Sequence, residues 1–379
     1  MLLGLVGSEM CIRDRTCNIE YLNFKSNRLI PFDQFVETVL YKPKIGYYTK
    51  KIPFGRTGDF ITAPTISNLF SEIISIWIVS SWEKLGKPRY FNFVELGPGD
   101  GSFAKVFVNT LKKFPNLFNS INIYLYEKSE FLKNIQKEKL KDSKIKWINN
   151  FDKINKGPVI FFGNEFFDAI PIKQFTYKKK LLLEKYCYLD HVKGFKEVYQ
   201  RAKIEDIKEI KNFRVLKDLK FIEFPKLGIL EMSKIVKKIK KLSGGVLLID
   251  YGYTKLLNKS TIQMVMQNKK VRTDDFFKNL GKADITSLVN FSLLKEYFLK
   301  NEMNVKKIVT QKFFLEKMGI VERANILEKK MDLKQKNYML STLNRLLNKK
   351  LMGDLFKVIF AFKSKSCLLY TSPSPRDQE

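Results

Sequence analysis

Phe91–Phe103 reads F-N-F-V-E-L-G-P-G-D-G-S-F, an apolar run that reaches Glu95-Leu96 and breaks into Gly97-Pro98-Gly99-Asp100-Gly101. A short apolar run bounded by glycine and proline reads as a buried strand. Two glycines one residue apart let the chain reverse tightly and let a ligand approach the backbone. A strand, this turn and a helix from Gly101 are how an open α/β sheet offers N–H groups to a nucleotide-like ligand. The dinucleotide pattern would put a third glycine at position 102, where this chain has Ser102. The turn therefore suits an adenosine ligand that lacks a pyrophosphate.

Outward from that stretch the chain alternates short apolar strands with amphipathic helices. Ile121–Tyr126 reads as a strand ending at Glu127, and Ser129–Lys141 as the helix after it. Ile145–Ile148 and Pro158–Phe162 read as strands, the second opening into Gly163-Asn164-Glu165-Phe166-Phe167-Asp168. Gly245–Asp250 is a further buried strand and Phe356–Phe362 a last one. Strands that alternate with helices pair in parallel, so the fold class expected is α/β, Rossmann-like, with a doubly wound, mostly parallel sheet. Upstream, Pro31–Leu40 has helical spacing with proline in the first turn, and Thr65–Leu85 reads as a long buried helix. Ile172–Tyr177 and Leu181–Leu189 suggest a hairpin, and Val198–Pro225, rich in lysine and glutamate, an insertion. The organisation expected is a helical and loop extension over 16–89, a core in two parts, 90–190 and 245–366, and an insertion with a helical segment over 191–244.

Both ends fall outside that organisation. Leu5–Arg15 (LVGSEMCIRDR) and Cys367–Asp377 (CLLYTSPSPRD) match reading frames of a sequencing adapter and of its reverse complement. Residues 1–15 and 367–379 are accordingly expected to be adapter-derived. The formal charge of +30 comes from lysines spread along the chain rather than gathered in one arm, with no interleaved aromatic–basic motif. Nucleic acid is therefore not the partner expected. Cys17 and Cys187 form no disulfide framework and no metal pair, and His191 stands alone, so no metal site is expected. The apolar run Ile73–Val79 is too short to span a bilayer and reads as a core helix.

In an open α/β sheet, ligands bind beyond the carboxyl ends of the strands, where the strand order reverses. Four strands here carry polar residues at that end. Gly97 and Gly99 allow close backbone approach, and Glu95 stands ready for a cofactor amino group, directly or through water. Glu127 ends the next strand, where a carboxylate can accept both hydroxyls of a ribose. Asn164, Glu165 and Asp168 follow the fourth strand, and Asp250 and Tyr251 the fifth. Each has a plain structural alternative as a cap or solvated carboxylate. Their recurrence at successive strand ends is what points to S-adenosylmethionine as cofactor.

The stretches GYYT (46–49), FGRTGDFITAP (54–64), VELGPGDGSF (94–103), GNEFFDAIP (163–171), LLIDYGY (247–253) and ADIT (283–286) together resemble the MidA-like family. These are class I S-adenosylmethionine-dependent methyltransferases, among them a mitochondrial complex I assembly factor that methylates arginine. The resemblance implies cofactor contacts at Gly97, Gly99 and Glu127, and a substrate-side role for Asn164, Glu165 and Asp168. Asp59, in the glycine-rich loop, is a further candidate to close over cofactor or substrate. The implied partner is a protein, such as a respiratory-complex subunit, in the cytoplasm of a bacterium or the mitochondrial matrix. The chain departs from the family pattern at Asp100, where a basic residue is frequent. It departs again at Gln267-Asn268-Lys269, where a histidine is expected; Asn268 can hydrogen-bond but cannot shuttle a proton. Two alternatives stay open at this point: an assembly protein that keeps the fold without catalysis, and a methyltransferase for RNA or a small molecule.

Overall fold

The structure, a computed structural model, describes residues 28–44, 46–49, 62–66, 68–142, 144–190, 194–266, 269–271 and 277–364. The elements that build the site begin with helices α1 (Phe32–Tyr41) and α2 (Asn68–Lys84), strand β1 (Phe91–Leu96) and helix α3 (Ser102–Leu111). Next come strand β2 (Ile121–Tyr126), helix α4 (Glu130–Lys139), and strands β3 (Ile145–Ile148) and β4 (Val159–Asn164). Strands β5 (Lys173–Lys178), β6 (Leu181–Asp190) and β7 (Gly194–Arg201), helix α5 (Ile204–Lys211) and strand β8 (Phe221–Phe224) follow. Helix α6 (Lys226–Leu242), strands β9 (Gly244–Tyr253), β10 (Gln263–Met266) and β11 (Asp284–Thr286), helix α7 (Phe291–Lys300) and strand β12 (Phe356–Lys363) complete the set.

The central sheet runs β12-β9-β4-β1-β2-β3, parallel from β9 to β3, with β12 antiparallel at its flank. The doubly wound, mostly parallel sheet is therefore present, and the order reverses between β1 and β4. Leu96 lies opposite both Tyr126 and Gly163, so the residues that follow β1, β2 and β4 emerge side by side. Successive side chains along a strand point to opposite faces. Phe91 and Phe93 of β1 and Phe162 of β4 join the core under α2 and α3, while Val94, Leu96 and Phe161 join the core under α6 and α7. Both faces of the sheet are thus covered, which is why its strands are apolar runs rather than alternating ones. Helix α6 turns Ile229, Met232, Val236 and Ile239 to the sheet at helical spacing and leaves Lys237, Lys240 and Lys241 outside.

A second, antiparallel sheet places β8 and β6 on either side of β5, with β7 on the far side of β6. It takes strands from both sides of residue 190. Lys173 on β5 donates to Glu184 on β6 at 2.6 Å and to Asp206 on α5 at 3.0 Å, and Lys226 on α6 also reaches Asp206. Lys173, Glu184 and Asp206 sit almost wholly out of water, Lys226 partly so, and together they fasten the second sheet to α6.

Local chemistry moves several element ends. Gly101, at φ 78°, is the N-cap of α3, so that helix begins at Ser102. Ser129 caps α4, its hydroxyl accepting the Leu132 N–H at 3.2 Å. The long helix expected from Thr65 divides into a short turn, Ala63–Ile66, and α2. The adapter-like ends (1–15 and 367–379), Asp59, His191 and Asn268 lie outside the described residues.

Candidate active site

Gly97 and Gly99 have φ of 61° and 57°, in the left-handed region that a side chain disfavours. A Cβ on Gly97 would also meet the Phe166 ring at 3.0 Å. The Gly97 N–H donates to the Tyr126 carbonyl at 3.0 Å, which folds the turn against the end of β2. Gln136 on α4, fully buried, donates to the Gly99 carbonyl at 2.7 Å and to Glu127 Oε2 at 3.3 Å. Its own Oε1 is fixed by the Trp147 indole N–H at 2.9 Å. One side-chain amide thus spaces the glycine turn from the carboxylate. The Ser129 N–H donates to Glu127 Oε1 at 2.8 Å, so Glu127 is aimed by the start of α4. Asp100 is engaged locally, accepting from the Ser102 N–H at 3.0 Å and from Lys139 at 2.7 Å. It secures the first turn of α3 to α4.

Across the switch in strand order, Glu165 follows β4 at φ 53°, an unfavourable conformation for a residue with a Cβ. Two features hold it there. Its N–H donates to the Ile249 carbonyl of β9 at 2.9 Å. Asp250 then captures the next loop residues, accepting from the Phe167 N–H at 2.8 Å and the Asp168 N–H at 3.3 Å. Glu165 Oε1 accepts from Asn164 Nδ2 at 3.0 Å and from the Ala63 N–H at 3.4 Å.

Two hollows meet at this turn. The larger, about 860 Å³, is lined by Gly97, Glu127, Glu165 and Phe166, by Tyr41 and Tyr48, and by Leu227 and Leu230 of α6. Ligand cavities range over about 300–1,000 Å³, so it has room for a nucleoside-sized cofactor. The smaller, about 50 Å³, lies behind the turn and is lined by Glu95, Gly97, Asn164 and Glu165. Glu95 Oε2 and Asn164 Oδ1, buried and without a protein hydrogen bond, both belong to its lining. Two orphaned acceptors beside a cramped hollow call for a donor such as an ammonium group.

The carboxyls are poised by burial. Glu127 is pushed up to about 7 by burial, against the hydrogen bonds from Ser129 and Gln136. Glu165 is raised to about 8, by burial first and then by the negative field of Asp168. Asp250 rises to about 7, and Glu95 and Asp168 are held well above the usual carboxylate range, in each case by burial before any neighbouring charge. Among the described residues, none of the ion pairs involves Glu165, Asp168 or Asp250. These three carboxyls thus form an acidic cluster without an ion pair of their own, while Lys128, Lys133 and Lys234 stand in the lining of the larger hollow.

Of the residues expected from sequence, Glu95, Gly97, Gly99, Glu127, Asn164 and Glu165 all line one or both hollows. Asp168 stands just behind, in the lining of neither, its carbonyl accepting the Ser287 N–H at 3.1 Å. Sequence alone does not single out Gln136, Ser129 or Tyr41, and gives Tyr48 no role beyond its place in the GYYT stretch, because their partners come from distant stretches of chain.

Residues 73–309 match the profile of a family described as S-adenosyl-L-methionine-dependent methyltransferases. The chain belongs to that family. The MidA-like motifs, the α/β fold class and the cofactor expected from them agree with it. This methyltransferase is 27% identical over 374 residues to protein arginine methyltransferase NDUFAF7, mitochondrial, of Xenopus tropicalis, covering 92% of this chain and 86% of that protein. The human protein of the same name is 26% identical over 357 residues (88% and 80%). The Caenorhabditis elegans homolog is 29% identical over 353 residues (85% and 79%). In fold it matches a Burkholderia thailandensis protein crystallised with S-adenosyl-homocysteine, with a TM-score of 0.76, 20% identity, and 96% and 95% of the two chains covered. No helix among its described residues is long and apolar enough to cross a membrane.

Proposed function

We propose that this methyltransferase methylates a protein side-chain nitrogen, that of arginine, with Glu165 as the group that orients the nitrogen and takes its proton. S-adenosylmethionine supplies a methyl carbon carried on a sulfonium. The glycine turn at Gly97 and Gly99 receives the cofactor, Glu127 accepts its ribose hydroxyls, and Glu95 with Asn164 takes its ammonium group in the smaller hollow. Glu165 borders both hollows, and this proximity to the cofactor supports giving it the acceptor nitrogen. A guanidinium is a flat fork of donors that carboxylates hold in a fixed orientation. As the nitrogen lone pair forms its bond to carbon, the carbon–sulfur bond leaves its electrons on sulfur and the displaced N–H proton passes to Glu165. Asp168, just behind the hollows, serves as the second carboxyl of the acceptor side. The named activity of the NDUFAF7 relatives supports an arginyl acceptor, a respiratory-complex subunit being the partner in view. The place of action is the cytoplasm of a bacterial source or the matrix of a mitochondrial one.

The observation that carries this proposal is a carboxyl held by strained backbone between two cofactor-sized and ammonium-sized hollows, with no cation paired to it. Isothermal titration of the folded chain with S-adenosylhomocysteine should show binding, and Gly99→Val should abolish it. Radiolabelled methyl transfer into cell extract, followed by mass spectrometry of the labelled band, should find methylarginine. Label found only in RNA or in small molecules would reject the arginyl acceptor.

A further inference from the structure

On the wall of the larger hollow, the rings of Tyr41 and Tyr48 stack at 5.2 Å between centroids with a 21° tilt. The stack is tied to both halves of the site. The Ser129 hydroxyl donates to the Tyr48 carbonyl at 2.8 Å, while the same residue's N–H holds Glu127. The Tyr41 hydroxyl donates to the Ala169 carbonyl at 3.3 Å, in the loop that carries Glu165 and Asp168. The Tyr48 hydroxyl donates to Asp284 Oδ2 at 2.6 Å, and Asp284 Oδ1 accepts the Ile285 N–H at 2.8 Å. Asp284 is only 3% exposed.

We propose that the Tyr41–Tyr48 stack is the acceptor-side wall of the crevice and that Tyr48, through its bond to Asp284, is a positioning residue for the acceptor cation. The inference rests on the arginyl acceptor proposed above. A carboxylate as buried as Asp284 needs a donor to stay fixed, and the phenol supplies one from an element that itself lines the cavity. Asp284 in turn adds its field to that of Asp168: burial and the charges of Asp250 and Asp284 together raise the Asp168 carboxyl. The Tyr41 phenol is likewise raised by burial, and then by Asp284, Glu37, Glu127 and Asp168. The stack therefore lies within the fields of both the cofactor-side and the acceptor-side carboxyls. The Lys128 ammonium, paired with Glu37, stands 4.4 Å from the Tyr41 ring centroid, within reach of a cation–π contact.

Two conservative variants separate this role from a structural one. Tyr48→Phe keeps the ring and removes the bond; Asp284→Asn keeps an acceptor for the phenol and removes the charge. Each is to be assayed with labelled S-adenosylmethionine against extract from cells lacking this gene, with acid hydrolysis to count methylarginine and methyllysine. Both variants are expected to bind S-adenosylhomocysteine within about twofold of wild type. The acceptor concentration for half-maximal methylarginine should rise about tenfold, with the plateau rate little changed. Variants that lose thermal stability but keep the wild-type acceptor response would overturn the inference. So would a loss of cofactor affinity as large as the loss on acceptor. A wild-type protein that labels no arginine in the same assay rejects the arginyl acceptor itself, and this inference with it.

Discussion

Glu165 combines three conditions that rarely coincide in one side chain: a left-handed backbone, burial against other acids, and contact with both hollows. Its carboxyl is raised to about 8, and the reaction needs the ionised form. Activity at low substrate should therefore climb as pH rises towards about 8, and Glu165→Gln should lower kcat by about 10²–10⁴ and remove that limb. Stability of the ligand-free protein should move the opposite way. A carboxyl raised in the folded state binds a proton more tightly there than in the unfolded chain. Its contribution is therefore whole at acid pH and lost as pH climbs through about 7 and 8, the values for Glu127 and Glu165. Melting temperatures of the apo chain between pH 5 and pH 9 should fall accordingly, and fall less in Glu165→Gln. At this scale Glu95, Gly97, Gly99, Glu127 and Glu165 were legible in sequence, because each stands where an apolar strand ends. Gln136 was not. A buried glutamine on α4 looks like any polar residue in a helix until Gly99, Glu127 and Trp147 are found around it.

The loop after β4 is positioned by β9 rather than by its own sequence. Asp250 gathers the Phe167, Asp168 and Tyr251 N–H groups, so Asp250→Asn trades a carboxylate holding three donors for a weaker acceptor. The expected cost is about 1–3 kcal/mol in denaturant unfolding. It should come with a larger relative loss of methyl transfer than of S-adenosylhomocysteine binding, since Glu165 loses its support while the glycine turn does not. In the second sheet, Lys173→Ala would leave Glu184 and Asp206, each with a side chain 1% exposed, short of their buried cation. Removing one partner of a buried pair costs about 3–5 kcal/mol, which the same unfolding measurement would show. The parallel strands and their helices could be read from apolar runs and helical spacing. In the second sheet the β5–β6 hairpin was legible from its two adjacent runs, but the pairing of β5 with β8 was not, since β6, β7 and α5 intervene and the half-polar faces of these strands give a weak pattern.

Taken whole, the chain carries a formal +30, yet Glu165, Asp168 and Asp250 cluster at the crevice without an ion pair. Like charges spread over the surface repel, and salt screens them over about 10 Å at 0.1 M. The melting temperature is therefore expected to rise between about 20 and 200 mM sodium chloride. A titration in which salt leaves it flat or lowers it would show that the lysines are locally compensated. Fold class and crevice position were accessible from the order of strands alone, because the reversal between β1 and β4 dictates where a ligand can enter. The placement of α1 and the Tyr41–Tyr48 stack over that crevice depends on contacts that no local pattern encodes. The set of carboxyls left without cations also has a bearing on turnover. A sulfonium is charged and the thioether it becomes is neutral, so the pocket can weigh a charged donor against a discharged one. Calorimetry at pH 8 should find the donor favoured over its product by more than at pH 6, with more buffer protons released on donor binding. Such a crevice would favour departure of the spent cofactor after each transfer by electrostatics.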